Sequence, residues 1–145
     1  MNYYNEIKQE LINNEVTKKV KDYSKNRSDL KTYYNVGKLL NDAGKHYGNG
    51  IIKEYSNKLT DELGKKYSTR LLYRILKFYN FISNKKVPTL SAKLSWSHYD
   101  ELLRIKDFDE INYYTSIVEK QDLSVRELRN RIANKEYERL SNETR

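Results

Sequence analysis

The sequence lacks cysteine altogether and has only two histidines, one proline and one tryptophan among its 145 residues. Without cysteine the chain has no disulfide, no thiolate nucleophile and no cysteine-based zinc site, so its fold must rest on packing. With histidine limited to His46 and His98, a metal site would depend on carboxylates, and the acids are dispersed along the chain. These absences predict that the protein holds no metal and no cofactor.

Long apolar runs are missing as well. No run approaches the roughly 18 residues that a membrane-spanning helix needs. The polar start of the chain, with an acid at residue 6, does not resemble a signal peptide. We therefore expect no membrane contact and a cytoplasmic location. A chain of 145 residues fits one domain, and we predict a single helical domain over residues 1–145.

Apolar residues recur at helical spacing through most of the chain and predict an all-α fold. A first helix over residues 1–27 would support the rest of the domain. Its apolar residues are Tyr4, Ile7, Leu11, Val16, Val20 and Tyr23. Ser28 is a suitable N-cap for the second helix, and Gly44 is predicted to end that helix before a loop that contains His46.

Polar residues also mark where later helices begin. Ser95 or Ser97 is predicted to cap one helix, and Asp107 or Asp109 the next. Ser124 would cap one last helix, "SVRELRNRIANKEYERL", and residues 141–145 would form a tail.

The charge is distributed unevenly along the chain. Basic residues outnumber acidic residues by 28 to 20, and the stretch from Gly64 to Tyr99 contains eight basic residues and no acidic one. Such segregation creates a local positive field that attracts polyanions. A solvated basic surface without a partner would have the same composition.

The same stretch contains a helix-turn-helix pattern. A third helix from Ile51 to Leu63 is predicted to end at Gly64, and Ser68 is a good N-cap for a fourth helix that reaches Ile82. Two helices joined by a short turn that contains glycine are typical of DNA-binding proteins, although other helical hairpins share the pattern.

The fourth helix divides into two faces when its residues are placed at about 100° intervals. Its apolar face contains Leu71, Ile75, Phe78 and Ile82, and a second face contains Arg70, Arg74 and Lys77 with Tyr73 and Asn80 beside them. A recognition helix needs this division, with an apolar side against the core and long cationic side chains towards phosphates and base edges. An amphipathic surface helix whose polar residues are basic would also show it.

A polar, basic segment that contains Pro88 follows the fourth helix and could form a short β-wing near residues 85–93. The predicted fold is thus an all-α domain with a helix-turn-helix, winged-helix-like core. A wing would place its lysines beside a phosphate backbone. The candidate nucleic-acid-binding residues are Lys65, Lys66, Arg70, Tyr73, Arg74, Lys77, Asn80, Lys85, Lys86 and Lys93.

The stretch "KLSWSHYDELLRI" brings the only tryptophan, Trp96, within two positions of His98. Together with Leu102 and Leu103, these residues fit packing and capping at the start of a helix. No second histidine or clustered acid accompanies them, as a metal site or acid–base pair would require. We interpret the four residues as a structural motif.

Tyrosine is unusually frequent, with fourteen in the chain. Tyr33, Tyr34, Tyr73, Tyr79, Tyr113 and Tyr114 cannot all point fully inward. An exposed tyrosine beside basic residues is suited to stacking on a nucleic acid or to contact with a protein.

Four motifs occur in order along residues 28–140: "YYNVGKLL", "YSNKLTDELGKKYSTRLLYRILKFYNFI", "LSWSHYDELLRIKD" and "LSVRELRNRIANKEYERL". Together they resemble the N-terminal domain of the YhcG-like PD-(D/E)XK nuclease family. The resemblance implies a DNA-binding, winged-helix-like module that is attached to a C-terminal nuclease domain. The positions that match the family's turn and recognition helix are Tyr67, Ser68, Arg70, Leu72, Arg74, Phe78 and Tyr79.

The chain departs from the family in lacking the nuclease motif. That site needs an Asp and a Glu-x-Lys on adjacent strands to hold Mg²⁺ and activate water. The only Glu-x-Lys here is Glu6-Ile7-Lys8, which lies in a helical pattern. We therefore expect no catalysis.

The sequence favours a non-catalytic DNA-binding module associated with a nuclease or a phage-defence system. The alternative is a protein-interaction module, either a homodimerisation domain or a phage-type inhibitor that docks on a nuclease or another defence protein. The two hypotheses differ in salt response, since DNA affinity falls steeply with salt.

Overall fold

The computed structural model describes residues 2–20, 25–84 and 93–143, and the regular structure in these ranges is entirely helical. The all-α prediction is therefore confirmed for these residues. Most of the predicted β-wing, residues 85–92, lies outside them. None of the described helices combines the length and apolar composition that a bilayer crossing requires.

The chain groups into two compact units, unit 1 (Met1–Pro88) and unit 2 (Thr89–Arg145). Unit 1 contains 18 of the 28 basic residues and 9 of the 20 acidic residues, a net charge of +9. Unit 2 has the remaining 10 basic and 11 acidic residues and a net charge of −1. The basic excess thus belongs to unit 1. The single-domain organisation predicted from the sequence stays a prediction.

Unit 1 contains four described helices: α1 (Tyr3–Val20), α2 (Lys25–Tyr47), α3 (Gly50–Leu63) and α4 (Thr69–Asn84). The central helix is α2, which contacts the other three. The core is formed by buried apolar residues from all four helices, among them Ile7, Leu11, Leu30, Val36, Leu40, Ile52, Leu59, Leu72, Ile75 and Phe78. The predicted apolar stripe of the first helix is wrong at Val16, which is 56% exposed.

The predicted ends of the second helix are wrong. Because α2 begins at Lys25, Ser28 lies inside the helix, and because α2 continues to Tyr47, Gly44 lies inside it as well. Ala43 is fully buried, so packing of the last turns outweighs the cost of about 1 kcal/mol for a helical glycine. The helix ends where Gly48, at φ +90°, donates its N–H to the Gly44 carbonyl.

The helices α2 and α4 approach each other closely at Gly37. A Cβ atom at this position would lie 2.5 Å from the Cβ of Tyr79 and 2.9 Å from the carbonyl oxygen of Ile75. Both atoms belong to or adjoin the α4 backbone, so a side chain at residue 37 would push the helices apart. Glycine at this crossing therefore sets the position of α4 on α2.

Unit 2 contains α5 (Trp96–Leu102), α6 (Phe108–Gln121), α7 (Val125–Ala133) and α8 (Glu136–Glu143). Of the alternative caps, Ser95 opens α5 and Asp107 opens α6, and the predicted cap of α7 at Ser124 is confirmed. The core of unit 2 consists of Leu94, Tyr99, Leu102, Leu103, Ile111, Tyr114, Ile117, Val118, Leu123 and Leu128.

The last predicted helix is two helices. The chain turns at Lys135, whose φ of +55° lies in the left-handed region. The turn lets α8 contact α6, where the Tyr137 N–H donates to the Tyr114 hydroxyl at 3.1 Å and the Tyr113 hydroxyl donates to Glu136 at 2.6 Å. Burial and this bond to Glu136 raise the pKa of Tyr113 to about 12, so its hydroxyl remains a donor.

A pair of carboxyl groups, Glu110 on α6 and Glu138 on α8, lies in the same contact. Burial raises the pKa of Glu110 from 4.5 to about 7, and the hydrogen bond that its protonated carboxyl donates to Glu138 and the charge of Glu138 act in the same direction. Glu110 therefore keeps its proton in the folded state at a pH where the unfolded chain has lost it. Its stabilising contribution is fully present below about pH 4.5 and is lost as the pH rises to about 7.

Glu110→Gln is expected to flatten this pH dependence, because the amide cannot ionise against Glu138. At pH values above the shifted pKa the variant should be more stable than the wild type by about 1 kcal/mol, a figure reduced for solvent screening. Urea unfolding followed by Trp96 fluorescence, which reports on unit 2, measures the difference. Glu119→Gln at an exposed position of α6 is the control. An unchanged pH slope in Glu110→Gln would contradict the assignment.

Candidate nucleic-acid interface

The turn between α3 and α4 begins at Gly64, as the sequence predicted. Gly64 adopts the left-handed conformation, with φ +66°, and its N–H donates to the Thr60 carbonyl at 3.1 Å. Only glycine adopts this conformation without strain. The chain leaves α3 sharply at this residue and enters the basic stretch.

Two side chains of α3 fix the turn by hydrogen bonds to its backbone. The Ser56 hydroxyl donates to the Tyr67 carbonyl at 2.6 Å, and the Tyr67 N–H donates to the Thr60 hydroxyl at 3.0 Å. The Tyr67 side chain is itself buried. The predicted N-cap is confirmed, since the Ser68 hydroxyl accepts from the Leu71 N–H at 3.1 Å. The start of α4 is therefore fixed by local bonds.

The apolar side of α4 faces the core of unit 1. Of the predicted face, Ile75, Phe78 and Ile82 are buried and Leu71 is partly buried, while the adjacent Leu72 is fully buried. Phe81 is buried as well, although helical spacing places it one turn after Lys77. The basic side of the helix thus ends before its last turn.

The opposite side of α4 forms a surface that we name the α4 basic face, composed of Arg70, Tyr73, Arg74, Lys77 and Asn80. Four of these residues are exposed and Arg74 is half-buried. The face contains no acidic side chain of its own, and none occurs in the sequence between Gly64 and Tyr99. The structure therefore brings five of the ten predicted residues onto one side of one helix.

The other predicted cations lie in different surroundings. In the turn before α4, Lys66 is exposed, and the Lys65 ammonium lies 3.0 Å from a Glu15 carboxylate oxygen on α1. In unit 2, Lys93 lies 3.5 Å from Asp122. Both ion pairs are at least half exposed on the lysine side, so each lysine could exchange its carboxylate for a phosphate at small cost. Lys85 and Lys86 lie outside the described residues.

The central motif of unit 2 is built around His98. Its Nδ1 accepts from the Ser95 N–H at 3.0 Å, and its own N–H donates to the Ser95 hydroxyl at 3.3 Å, which completes a capping box. With Nδ1 accepting, Nε2 carries the proton and donates to the Leu123 carbonyl at 2.8 Å. His98 thus joins the start of α5 to the segment between α6 and α7.

The rest of this motif packs around the histidine. Leu102 and Leu103 are buried, and Trp96 is partly buried as the first residue of α5. Both ring nitrogens of His98 are occupied by protein groups. Among the described residues no group of three or more histidine, aspartate or glutamate side chains is arranged to hold a metal ion.

The sequence analysis did not predict some of the residues that contact the turn before α4. Glu15 pairs with Lys65 from 50 residues away in the chain, and no local signal could reveal that contact. Ser56 and Thr60 occur four residues apart on α3, at the spacing that places two hydroxyls on the side of the turn. That spacing was available in the sequence, but it is common in surface helices.

These features define a protein that is helical in the ranges that the structure describes and whose unit 1 presents a capped helix pair with a basic outer face. Comparison with family models identifies it further. The DUF1016 N-terminal domain matches residues 6–139, and the chain belongs to this family, the N-terminal domain of YhcG-like proteins. The resemblance predicted from the motifs is therefore confirmed. Among curated proteins and solved structures, none matches the chain.

Proposed function

We propose that the protein is a non-catalytic DNA-binding module in which α3, the turn and α4 act as the helix-turn-helix of a winged-helix-like core. The observation that carries the proposal is the α4 basic face, where Arg70, Arg74 and Lys77 share one side of a helix whose own sequence contains no acidic residue. The concentration of the net charge in unit 1 supports it. Such a surface gains affinity by neutralising phosphates and releasing counterions.

Within this proposal the residues have different roles. Arg70, Arg74 and Lys77 neutralise phosphates, and Lys65 and Lys66 extend the contact into the turn. Asn80 provides a donor and an acceptor for a base edge. The wing that the sequence predicts for Lys85, Lys86 and Lys93 is not needed by the proposal, which rests on α3, the turn and α4 of unit 1. The proposed module has no catalytic role, because its only Glu-x-Lys, Glu6-Ile7-Lys8, lies in helix α1, whereas a PD-(D/E)XK site needs that motif and an Asp on adjacent strands.

Replacing Arg70 and Lys77 together with alanine is expected to weaken DNA binding at low salt by more than about tenfold. The slope of log affinity against log salt concentration should also become shallower by about two, one for each phosphate contact that is lost. Both side chains are exposed, so the fold should be unaffected. Fluorescence anisotropy with a labelled random-sequence duplex at two salt concentrations measures both quantities, and circular dichroism checks the fold.

The matched control is Lys31→Ala with Lys38→Ala. This pair has the same spacing of seven residues on one helix, and Lys38 lines a groove between α1 and α2 with Glu6, Glu10 and Asp42. The control removes the same charge and should keep affinity within about twofold of the wild type. Equal losses in the two double variants would mean that only net charge matters. Absence of binding at low salt to duplex and single-stranded nucleic acid alike would favour a protein partner instead.

A further inference from the structure

The α4 basic face contains an aromatic ring that phosphate binding alone does not explain. Tyr73 is 49% exposed. Tyr34 and Tyr79 of unit 1, by comparison, contact each other, with 5.2 Å between their ring centroids. Within the described ranges Tyr73 takes part in no such contact. Its ring is therefore available to a ligand.

The cations of the face surround this ring. Arg70 precedes Tyr73 by three residues and Lys77 follows it by four, spacings that place side chains next to each other on a helix surface. A phosphate bound by either cation would bring its own nucleotide beside the Tyr73 ring. A tyrosine ring stacks on a base of any sequence, because every base has a π-face.

The state of the bases decides whether such stacking can occur. In a duplex the bases stack on one another and present only their edges in the grooves. Tyrosine has a single hydroxyl for edge contacts, whereas arginine and asparagine form bidentate ones. An unpaired base exposes its face and can be displaced onto an aromatic side chain. The exposed ring among cations therefore fits a strand with unpaired bases better than a closed duplex.

We infer that the α4 basic face binds single-stranded nucleic acid, with one base stacked on Tyr73 and the adjoining phosphates bound by Arg70 and Lys77. This inference rests on the proposed function. Asn80, two turns after Tyr73, lies on the same side and can hydrogen-bond the edge of a neighbouring base. Affinity then has an electrostatic part from the cations and a salt-independent part from the ring.

The test compares binding to a labelled oligo-dT strand of about 12 nucleotides with binding to a hairpin duplex. An oligo-U strand of the same length shows whether the protein prefers DNA or RNA. We expect the wild type to bind the single strand at least about tenfold more tightly than the duplex. Tyr73→Leu should weaken single-strand binding by about tenfold, within a range of about fivefold to a hundredfold per stacked base. Tyr73→Phe, which keeps the ring, should bind within about twofold of the wild type.

The matched control is Tyr47→Leu, since Tyr47 is another exposed tyrosine of unit 1, 58% exposed, at the end of α2. It should leave binding unchanged. Stacking also has its own spectroscopic signature, because a 2-aminopurine in the strand should lose fluorescence on binding to the wild type and not to Tyr73→Leu.

The outcomes separate this inference from the proposed function. Duplex bound as tightly as the single strand, with Tyr73→Leu unchanged, would overturn the inference and leave DNA binding intact. A loss in Tyr73→Leu confined to the duplex would also overturn it, since it would indicate an edge or methyl contact. If none of the three probes showed salt-dependent binding, the proposed function and the inference would both be overturned.

Discussion

Gly37→Ala is expected to destabilise unit 1 by about 2 kcal/mol, although alanine is the better helix former by about 1 kcal/mol. The added methyl group would lie 2.5 Å from the Tyr79 Cβ and 2.9 Å from the Ile75 carbonyl oxygen. Neither atom is at the end of a flexible side chain, so relief requires moving one helix. Overpacking of this kind in well-packed interiors costs about 1–3 kcal/mol.

The control is on the same helix. Gly44 also lies inside α2, but a Cβ there would meet no atom within 4 Å. Gly44→Ala should therefore stabilise the protein by about 0.5–1 kcal/mol, through helix propensity alone. Thermal unfolding followed by circular dichroism should show opposite shifts, with Gly37→Ala lowering the midpoint by roughly 10 °C. Shifts of the same sign in both variants would contradict the close crossing.

This crossing also has a consequence for binding. Because α2 and α4 meet at Gly37, a variant that remains folded must carry α4 in a shifted position. The α4 basic face would move with it, together with the turn that holds Lys65 and Lys66. Folded Gly37→Ala should thus bind nucleic acid more weakly than Gly44→Ala, even though neither change removes a charge.

His98→Ala is expected to destabilise unit 2 by about 2–4 kcal/mol. The change removes the acceptor for the Ser95 N–H and the donor to the Leu123 carbonyl, and it leaves a cavity where a buried ring was. Urea unfolding followed by Trp96 fluorescence measures the loss. His46→Ala, at an exposed position, should change stability by less than about 0.5 kcal/mol.

A second variant separates the two functions of this ring. Glutamine is a usual partner for serine in a capping box, so His98→Gln should restore the bond to the Ser95 N–H. It should not restore the packed ring or the aligned bond to Leu123, and its stability should fall between those of His98→Ala and the wild type. If all three proteins unfolded at the same urea concentration, His98 would contribute nothing to the fold.

Local signals in the sequence were sufficient around the candidate site. Gly64 ends α3 through a left-handed conformation that glycine favours, and Ser68 caps α4 with its own hydroxyl. The division of α4 into two faces follows from helical spacing, and the exposed positions of Arg70, Tyr73, Lys77 and Asn80 agree with it. Each of these features depends on residues only a few positions apart.

Features that depend on distant residues could not be predicted. Gly44 is predicted to end the second helix, but α2 continues to Tyr47 because Ala43 is buried. Helical spacing places Phe81 beside the cations, yet the core encloses it. The final helix lacks proline, and its break at Lys135 follows from the contacts of α8 with α6. In each case tertiary packing outweighs a local preference of about 1 kcal/mol.

The bonds that join the turn to α3 bear on how fast a ligand can associate. Because Ser56 binds the Tyr67 carbonyl and Thr60 binds the Tyr67 N–H, the segment before α4 has little conformational entropy left to lose on binding. Under the proposed function, an incoming strand meets a surface that is already ordered. We then expect electrostatic steering towards the positively charged unit 1 to set its association rate, which should rise as the ionic strength falls.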